Sequence, residues 1–160
     1  MLSYSLIGIG LVLVTVVIHA TGTTFWLYIL AHRLEPSAVF NVRRPLLALI
    51  SSVLLLLVLH VVEIAVWAYT YLQVLPPGQL GSFEEAMYFS FVTFTTLGYG
   101  DITLAEGFRI MSGIEALNGI ILGGWTTALL FAVVQRTFGK AIRIEAGEIP
   151  ARGEMGPDRD

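Results

Sequence analysis

Cysteine is absent from the 160-residue chain, and charge is scarce, with Asp, Glu, Lys and Arg making up 13% of the residues. Without thiols there are no disulfides, no thiolate metal sites and no thiol nucleophile. A soluble domain carries about 25% charged residues, so half of the usual surface charge is missing. The formal net charge of −3 offers no basic surface for nucleic acid, and no nucleic-acid partner is expected. Heptads, internal repeats and low-complexity segments are lacking too. No nucleophile–base pair, metal cluster or phosphate-cradling glycine loop stands out, so no catalysed reaction and no cofactor are expected. What is present is apolar: 56% of the residues are hydrophobic and the mean hydropathy is +0.78. A chain this short cannot bury so much apolar surface inside itself. Its solvent must be lipid.

Three stretches are long enough to cross a bilayer, which takes about 20 apolar residues. Leu2 to Ala31 holds no Lys, Arg, Asp or Glu; Leu46 to Leu75 holds one acid, Glu63, with His60; Ile110 to Gln135 holds one acid, Glu115. A fourth apolar piece, Ala86 to Leu97, covers only about half a membrane at 1.5 Å per residue. It either lies on the surface or dips in and returns, and re-entering backbone is tolerated only beside protein or a water-filled cavity. The first stretch lacks a basic leader and its apolar run is too long for a signal peptide. Arg33, Arg43 and Arg44 flank the first connection, and Arg136, Lys140 and Arg143 follow the last span. The connection between the second and third spans holds only Arg109 against Glu84, Glu85, Asp101 and Glu106. The positive-inside rule therefore predicts an outside N-terminus, an outward-facing half-span and a cytoplasmic C-terminus. The arginines of the first loop serve as topology anchors, with anionic lipid contact as a secondary role. Beyond Lys140 the tail turns polar, with Gly and Pro, and frays past Ile149.

The half-span carries a legible local plan. Pro76 and Pro77 stop the second helix. Ser82 and Glu85 are spaced as a capping box, and Glu84 and Glu85 suit the positive end of a helix dipole. A short helix from about Phe83 to Thr95 then ends in Thr95-Thr96-Leu97-Gly98-Tyr99-Gly100-Asp101. Glycines at alternate positions admit backbone conformations closed to other residues, so carbonyls can line up on one side. Such a row of oxygens with a Thr hydroxyl is a hard, formally uncharged ligand set for a cation that must bind and leave. The helix aims its negative dipole end at the same place. One chain supplies one side of such a site; closing a ring takes several copies.

The segment Thr96-Leu97-Gly98-Tyr99-Gly100 resembles the T-V-G-Y-G selectivity filter of potassium channels, with Leu97 in place of Val. The preceding Phe-x-x-Ala-x-Tyr-Phe-Ser-Phe-Val-Thr-Phe-Thr and the following Asp101 are similar to that family's pore helix and outer mouth. The resemblance spans about residues 45–136. It implies an all-α membrane protein with three transmembrane helices plus a re-entrant pore helix and filter loop, assembled as a homotetramer. The implied layout is an extra N-terminal helix over 1–33, a cytoplasmic basic loop over 34–44, the pore domain over 45–136 and a polar tail over 137–160. Within the pore domain lie an outer helix (45–75), pore helix (83–95), filter (96–100) and inner helix (108–136). By resemblance, the carbonyls of Thr96, Leu97, Gly98 and Tyr99, with the Thr96 hydroxyl, coordinate dehydrated K+, the conducted species, and Gly100 completes the filter. Tyr88, Phe89, Val92, Thr95 and Asp101 support it: Tyr99 packs on Tyr88 or Phe89, where many relatives carry Trp, and Asp101 bonds back to the pore helix with Tyr88 within reach. Val92 stands where some relatives place a carboxylate, so that brace is missing.

Other polar residues carry two readings each. Glu63 with His60, and Glu115 with Asn118 three residues on, are either a polar cluster behind the filter that tunes gating or hydrogen-bonded glue between helices. Gly119 is a candidate gating hinge, or with Gly123 a small-residue packing face. Trp125 is a packing residue. His19, Thr21, Gly22, Thr23 and Thr24 give the first span a weakly polar stripe, read as a packing face, and the span lacks the regular arginines of a voltage sensor. The expected function is passive K+ conduction in an inner or plasma membrane, with three further copies of the chain and membrane lipids as partners. The alternatives are a weakly selective cation channel, a K+ uptake subunit, which usually joins several pore loops in one chain, and a non-conducting accessory protein.

Overall fold

A computed structural model describes residues 2–33 and 43–145. Most of the basic loop and the tail from residue 146 on, including the expected fraying past Ile149, lie outside the described residues. Within them the regular structure is all helical, with no strand: α1 (Leu2–Arg33), α2 (Arg43–Val74), α3 (Phe83–Phe94) and α4 (Arg109–Glu145). Three helices are long and apolar enough to cross a membrane: Ser3–His32, Arg43–Val74 and Arg109–Arg136. The protein is an all-α membrane protein. Its long helices exceed the hydrocarbon core of about 30 Å, at 1.5 Å per residue, and so tilt or overhang it.

Sequence punctuation explains the boundaries. Pro45 falls in the first turn of α2, where its missing N–H costs no intrahelical bond. After Val74 the helix gives way to Pro76-Pro77, and Gly78 takes a φ of +94° in the turn that follows. Ser82 caps α3 by accepting the Glu85 N–H at 3.1 Å. The return arm of the capping box is displaced by one residue: the Glu85 carboxylate accepts from Gly81 N rather than from Ser82 N. α4 continues past the expected end at 136 to Glu145. Nothing between Thr137 and Glu145 breaks a helix except the tolerable Gly139, and the first proline is Pro150.

α1 and α3 each pack on both α2 and α4, but not on one another. The long helices are sided opposite to those of a soluble bundle. On α1, Leu11, Thr15, His19 and Thr23 are buried at intervals of four, while Leu6, Ile9, Leu13 and Val17 are exposed. An apolar exterior around a partly polar seam is stable only where the solvent is itself apolar. Five side-chain hydrogen bonds tie the three long helices. Asn118 Nδ2 donates to Thr15 Oγ1 at 2.8 Å and Trp26 Nε1 to Ser52 Oγ at 2.8 Å. Tyr71 Oη donates to Glu115 Oε2 at 2.8 Å. His19 Nδ1 lies 2.8 Å from Glu63 Oε1, and His60 Nε2 lies 2.9 Å from Thr126 Oγ1. Trp67 and Tyr71 are wholly buried in the larger core cluster, which joins all four helices, α1 through Leu11.

Candidate ion-conducting site

The site begins at the C-terminal end of α3. Thr95 closes the helix with φ −79° and ψ 0°, its N–H still bonded to Phe91 O. Beyond it the backbone φ is positive at Thr96 (60°), Gly98 (55°) and Gly100 (79°), and at no other residue of the segment. A left-handed φ at a β-branched residue such as Thr96 costs about 1–3 kcal/mol and persists only where the surroundings impose it. Three amides impose it here. Thr96 N donates to Thr93 O at 2.9 Å, and Leu97 N and Gly98 N both donate to Val92 O, at 2.9 and 3.1 Å. All peptide bonds are trans, so each C=O points opposite to the N–H of its own peptide unit. The carbonyls of Thr95, Thr96 and Leu97 therefore face away from the end of α3. The Thr95 hydroxyl is spent inside the helix, donating to Phe91 O at 2.6 Å.

The far end of the segment is tied back to the same helix. Tyr88 Oη donates to Asp101 Oδ2 at 2.6 Å. That bond holds the Asp101 carboxyl below its ordinary range and pushes the Tyr88 phenol above its own, because the shared proton is worth most when the carboxylate is ionised. Residues 96–100 are thus pinned at their start by the Val92 carbonyl and at their end by Tyr88. Between α3, this segment and α4 lies a cleft of about 530 Å³, lined by Val92, Thr96, Asp101, Arg109, Ser112 and Ala116 among others.

Within the single chain the aromatic side chains have separate neighbours. Phe89 is buried and stands edge-on to Tyr71, with ring centroids 5.2 Å apart. Among the described residues Tyr99 makes no ring contact with Tyr88 or Phe89, and it is 67% exposed. Phe89 is committed to the α2 interface because it faces inward from α3, while Tyr99 projects from a segment with no helix on its outer side. Val92 contributes through its carbonyl rather than its side chain.

The polar residues of the spans do not form one cluster. Glu115 and Asn118 are both on α4, which packs on α1 and on α2. A three-residue step turns the helix by about 60° short of a full turn, enough to send Glu115 to Tyr71 and Asn118 to Thr15. Glu63 instead meets His60 and His19. Each of the three is buried and hydrogen-bonded across a helix interface or along its own helix. Sequence reasoning missed the partners Tyr71, Thr126 and His19. His19 had a signal in its i, i+4 register with Thr15 and Thr23; Tyr71 and Thr126 had none beyond being polar within a span. Where no metal cluster was expected, His19, His60 and Glu63 bring three ligand-type atoms within 4.8 Å of one another.

Gly119 and Gly123 do not share a packing face within the chain. A Cβ on Gly119 would overlap the carbonyl oxygen of Phe94, whereas nothing lies within 4 Å of a Cβ on Gly123. Gly119 is where α4 passes against the end of α3. Trp125 is partly exposed and packs on the His19 ring at 5.6 Å.

No curated protein and no solved structure matches the chain. A family model described as ion channel matches residues 55–136, just over half of the chain. The match takes in most of α2, all of α3, the segment 96–101 and the spanning part of α4. It leaves α1 outside. A half-membrane helix ending in same-side carbonyls, held between two spanning helices, agrees with that match, and this chain belongs to the ion-channel family.

Proposed function

We propose that the chain forms a homotetrameric, potassium-selective channel that conducts K+ passively. The observation that carries this reading is the backbone of residues 95–100. Left-handed φ at three alternate positions and three amides drawn to the end of α3 turn successive carbonyls to one side. Thr96, Leu97, Gly98 and Tyr99 then supply oxygens that replace the hydration shell of K+, and neighbouring ions repel one another onward. The Thr96 hydroxyl adds a further ligand at the inner end. The negative end of α3 favours a cation below the filter.

Fourfold assembly is supported by what a single chain leaves bare. Leu97 and Tyr99 are more than half exposed, and Leu117, Ile120 and Ile121 form an apolar stripe on α4. A ring of four chains would cover the first pair, fill the cleft beside Val92 and give Tyr99 a seat against a neighbouring chain. With α1 outside the α2–α4 pair and bearing Leu6, Ile9, Leu13 and Val17 outward, lipid is its neighbour. The N-terminus lies outside and the C-terminus in the cytoplasm, on the distribution of arginines.

Flux through the purified protein in liposomes tests the reading, with K+ and Na+ gradients compared and Gly98→Asp as the control. K+-selective flux lost in the variant is the expected result. Equal K+ and Na+ flux would convert the assignment to a weakly selective cation channel. No flux together with a stable monomer on chemical crosslinking would leave a non-conducting accessory protein.

A further inference from the structure

Glu63 is a carboxylate buried at the middle of a membrane-spanning helix, and both of its oxygens face imidazoles. His19 Nδ1 on α1 lies 2.8 Å from Oε1, and His60 Nδ1 on α2 lies 3.0 Å from Oε2. His19 and Glu63 are wholly buried, and the His60 side chain is 20% exposed. On the far side of the His60 ring, Nε2 lies 2.9 Å from Thr126 Oγ1 of α4. His19 Nε2 has no hydrogen-bond partner; its ring stands across that of Trp125 at 68°. If both imidazoles are neutral and donate to Glu63, a full negative charge is left in an apolar interior, which is costly.

We propose that His19, His60 and Glu63 form a binding site for a divalent transition-metal ion of the zinc class, which clamps α1 to α2. Two imidazole nitrogens and one carboxylate oxygen are a donor set that zinc takes with a fourth position left for water. Nitrogen-rich sites of this kind favour Zn2+, Co2+ or Ni2+ over Mg2+ and Ca2+, which prefer all-oxygen shells. Bonds of about 2.0–2.2 Å in a tetrahedron place ligand atoms about 3.3–3.6 Å apart. The three ligand atoms lie within 4.8 Å of one another, so the carboxylate must turn one oxygen toward both rings and the most distant pair must close by up to about 1.5 Å. On binding, each ring proton shifts from Nδ1 to Nε2, and neutral imidazoles release none to solvent. The Nε2–H of His60 then donates to Thr126 Oγ1, the outer hydrogen bond that metal-ligating histidines characteristically make. The Nε2–H of His19 is left without a hydrogen-bond partner, with the Trp125 ring 5.6 Å from the imidazole. The ion outweighs the carboxylate by one positive charge, which the water in the fourth position would balance by giving up a proton and remaining as hydroxide. None of these residues belongs to segment 96–101, and the proposal does not depend on K+ conduction.

The test is metal binding by the purified full-length chain in detergent, after chelation and dialysis against Zn2+, read by elemental analysis. One ion per chain is expected, undiminished by excess Mg2+. Co2+ in place of Zn2+ should give the intense visible absorption of a four-coordinate site. His19→Gln and Glu63→Gln should each weaken binding at least tenfold. Thr126→Val, which touches only the outer hydrogen bond, should weaken it about 10–100-fold. His32→Gln, at an exposed histidine near the end of α1, should change nothing. Absence of Zn2+ above the dialysis buffer in the unmodified chain would overturn the proposal. So would a weak six-coordinate Co2+ spectrum, or undiminished binding in His19→Gln. Should the Gln variants fail to keep their helicity, the Co2+ spectrum of the unmodified chain and the Thr126→Val affinity decide. A negative result would leave a hydrogen-bonded triad sharing protons and would not bear on flux.

Discussion

Substituting Ala at Gly119 should disrupt the crossing of α3 and α4, and the size of the effect follows from what the new methyl meets. Its Cβ would overlap the Phe94 carbonyl oxygen and lie 2.8 Å from the carbonyl carbon and 3.1 Å from Phe94 Cδ1. A backbone carbonyl cannot rotate aside as a side chain can, so α4 must move off α3 or the end of α3 must deform. Overpacking of this kind costs about 1–3 kcal/mol, and the rigid obstacle puts Gly119→Ala at the upper end. Helix propensity returns about 0.8–1 kcal/mol for Gly to Ala. The net expectation is a loss of about 2 kcal/mol, on the order of a thirtyfold shift in the unfolding equilibrium. Gly123 provides the comparison on the same helix. Nothing lies within 4 Å of its added Cβ, so Gly123→Ala should gain about 1 kcal/mol from propensity alone. Denaturation of the two purified variants in detergent, followed by far-UV circular dichroism, measures the difference. If Gly119→Ala is as stable as Gly123→Ala, the close approach is not a packing constraint, and a hinge role for Gly119 would be the better account.

Three other substitutions test separate parts of the fold. Tyr88→Phe removes the hydrogen bond that holds the Asp101 carboxyl below its ordinary range. Because that folded-state value is depressed, the bond's contribution is full above the unfolded carboxyl pKa and is lost as pH falls through the lower folded one. Ion flux in the variant should therefore already be reduced at neutral pH and lack the acid-side loss of the unmodified protein; superimposable pH profiles would refute a role for the bond. Tyr71→Phe leaves Glu115 Oε2 without its donor in a buried place and should cost about 1–3 kcal/mol in the same denaturation assay, with no change expected only if water replaces the phenol. Ser82→Ala strips the cap that accepts the Glu85 N–H and should cost about 1 kcal/mol, seen as faster hydrogen exchange at the first turn of α3.

What could be read from sequence was whatever depends on neighbours along the chain. Composition alone excluded a soluble fold, because 13% charge cannot cover the surface of so apolar a chain. Long apolar runs, paired prolines before α3 and the Ser82 cap mark helices through local physics, and the structure ends α2 and begins α3 at those signals. The unusual backbone of the run Thr96 to Asp101 was legible because alternate glycines act through φ, a property of single residues. The end of α4 was misjudged for the converse reason: Arg136 and Lys140 end an apolar run without breaking a helix, and polarity is a weaker stop signal than proline.

Partnerships across the helices were not legible. Glu115 and Asn118, three residues apart, part company because α4 packs on α2 with one face and on α1 with another, a fact of packing that no spacing encodes. Phe89 turns to Tyr71 rather than to Tyr99 for the same reason. The sharpest case is His19, an unremarkable polar residue in a helix outside the family match, which lands 2.8 Å from Glu63 across 44 residues of chain. Sequence by itself determined that this protein lives in a membrane, where its helices lie and where glycines free the backbone beyond α3, since each rests on local composition and dihedral freedom. Only the tertiary structure decided which buried polar group meets which, because in a lipid-solvated bundle that choice is made by helix rotation and order, and a helix's sequence leaves both open.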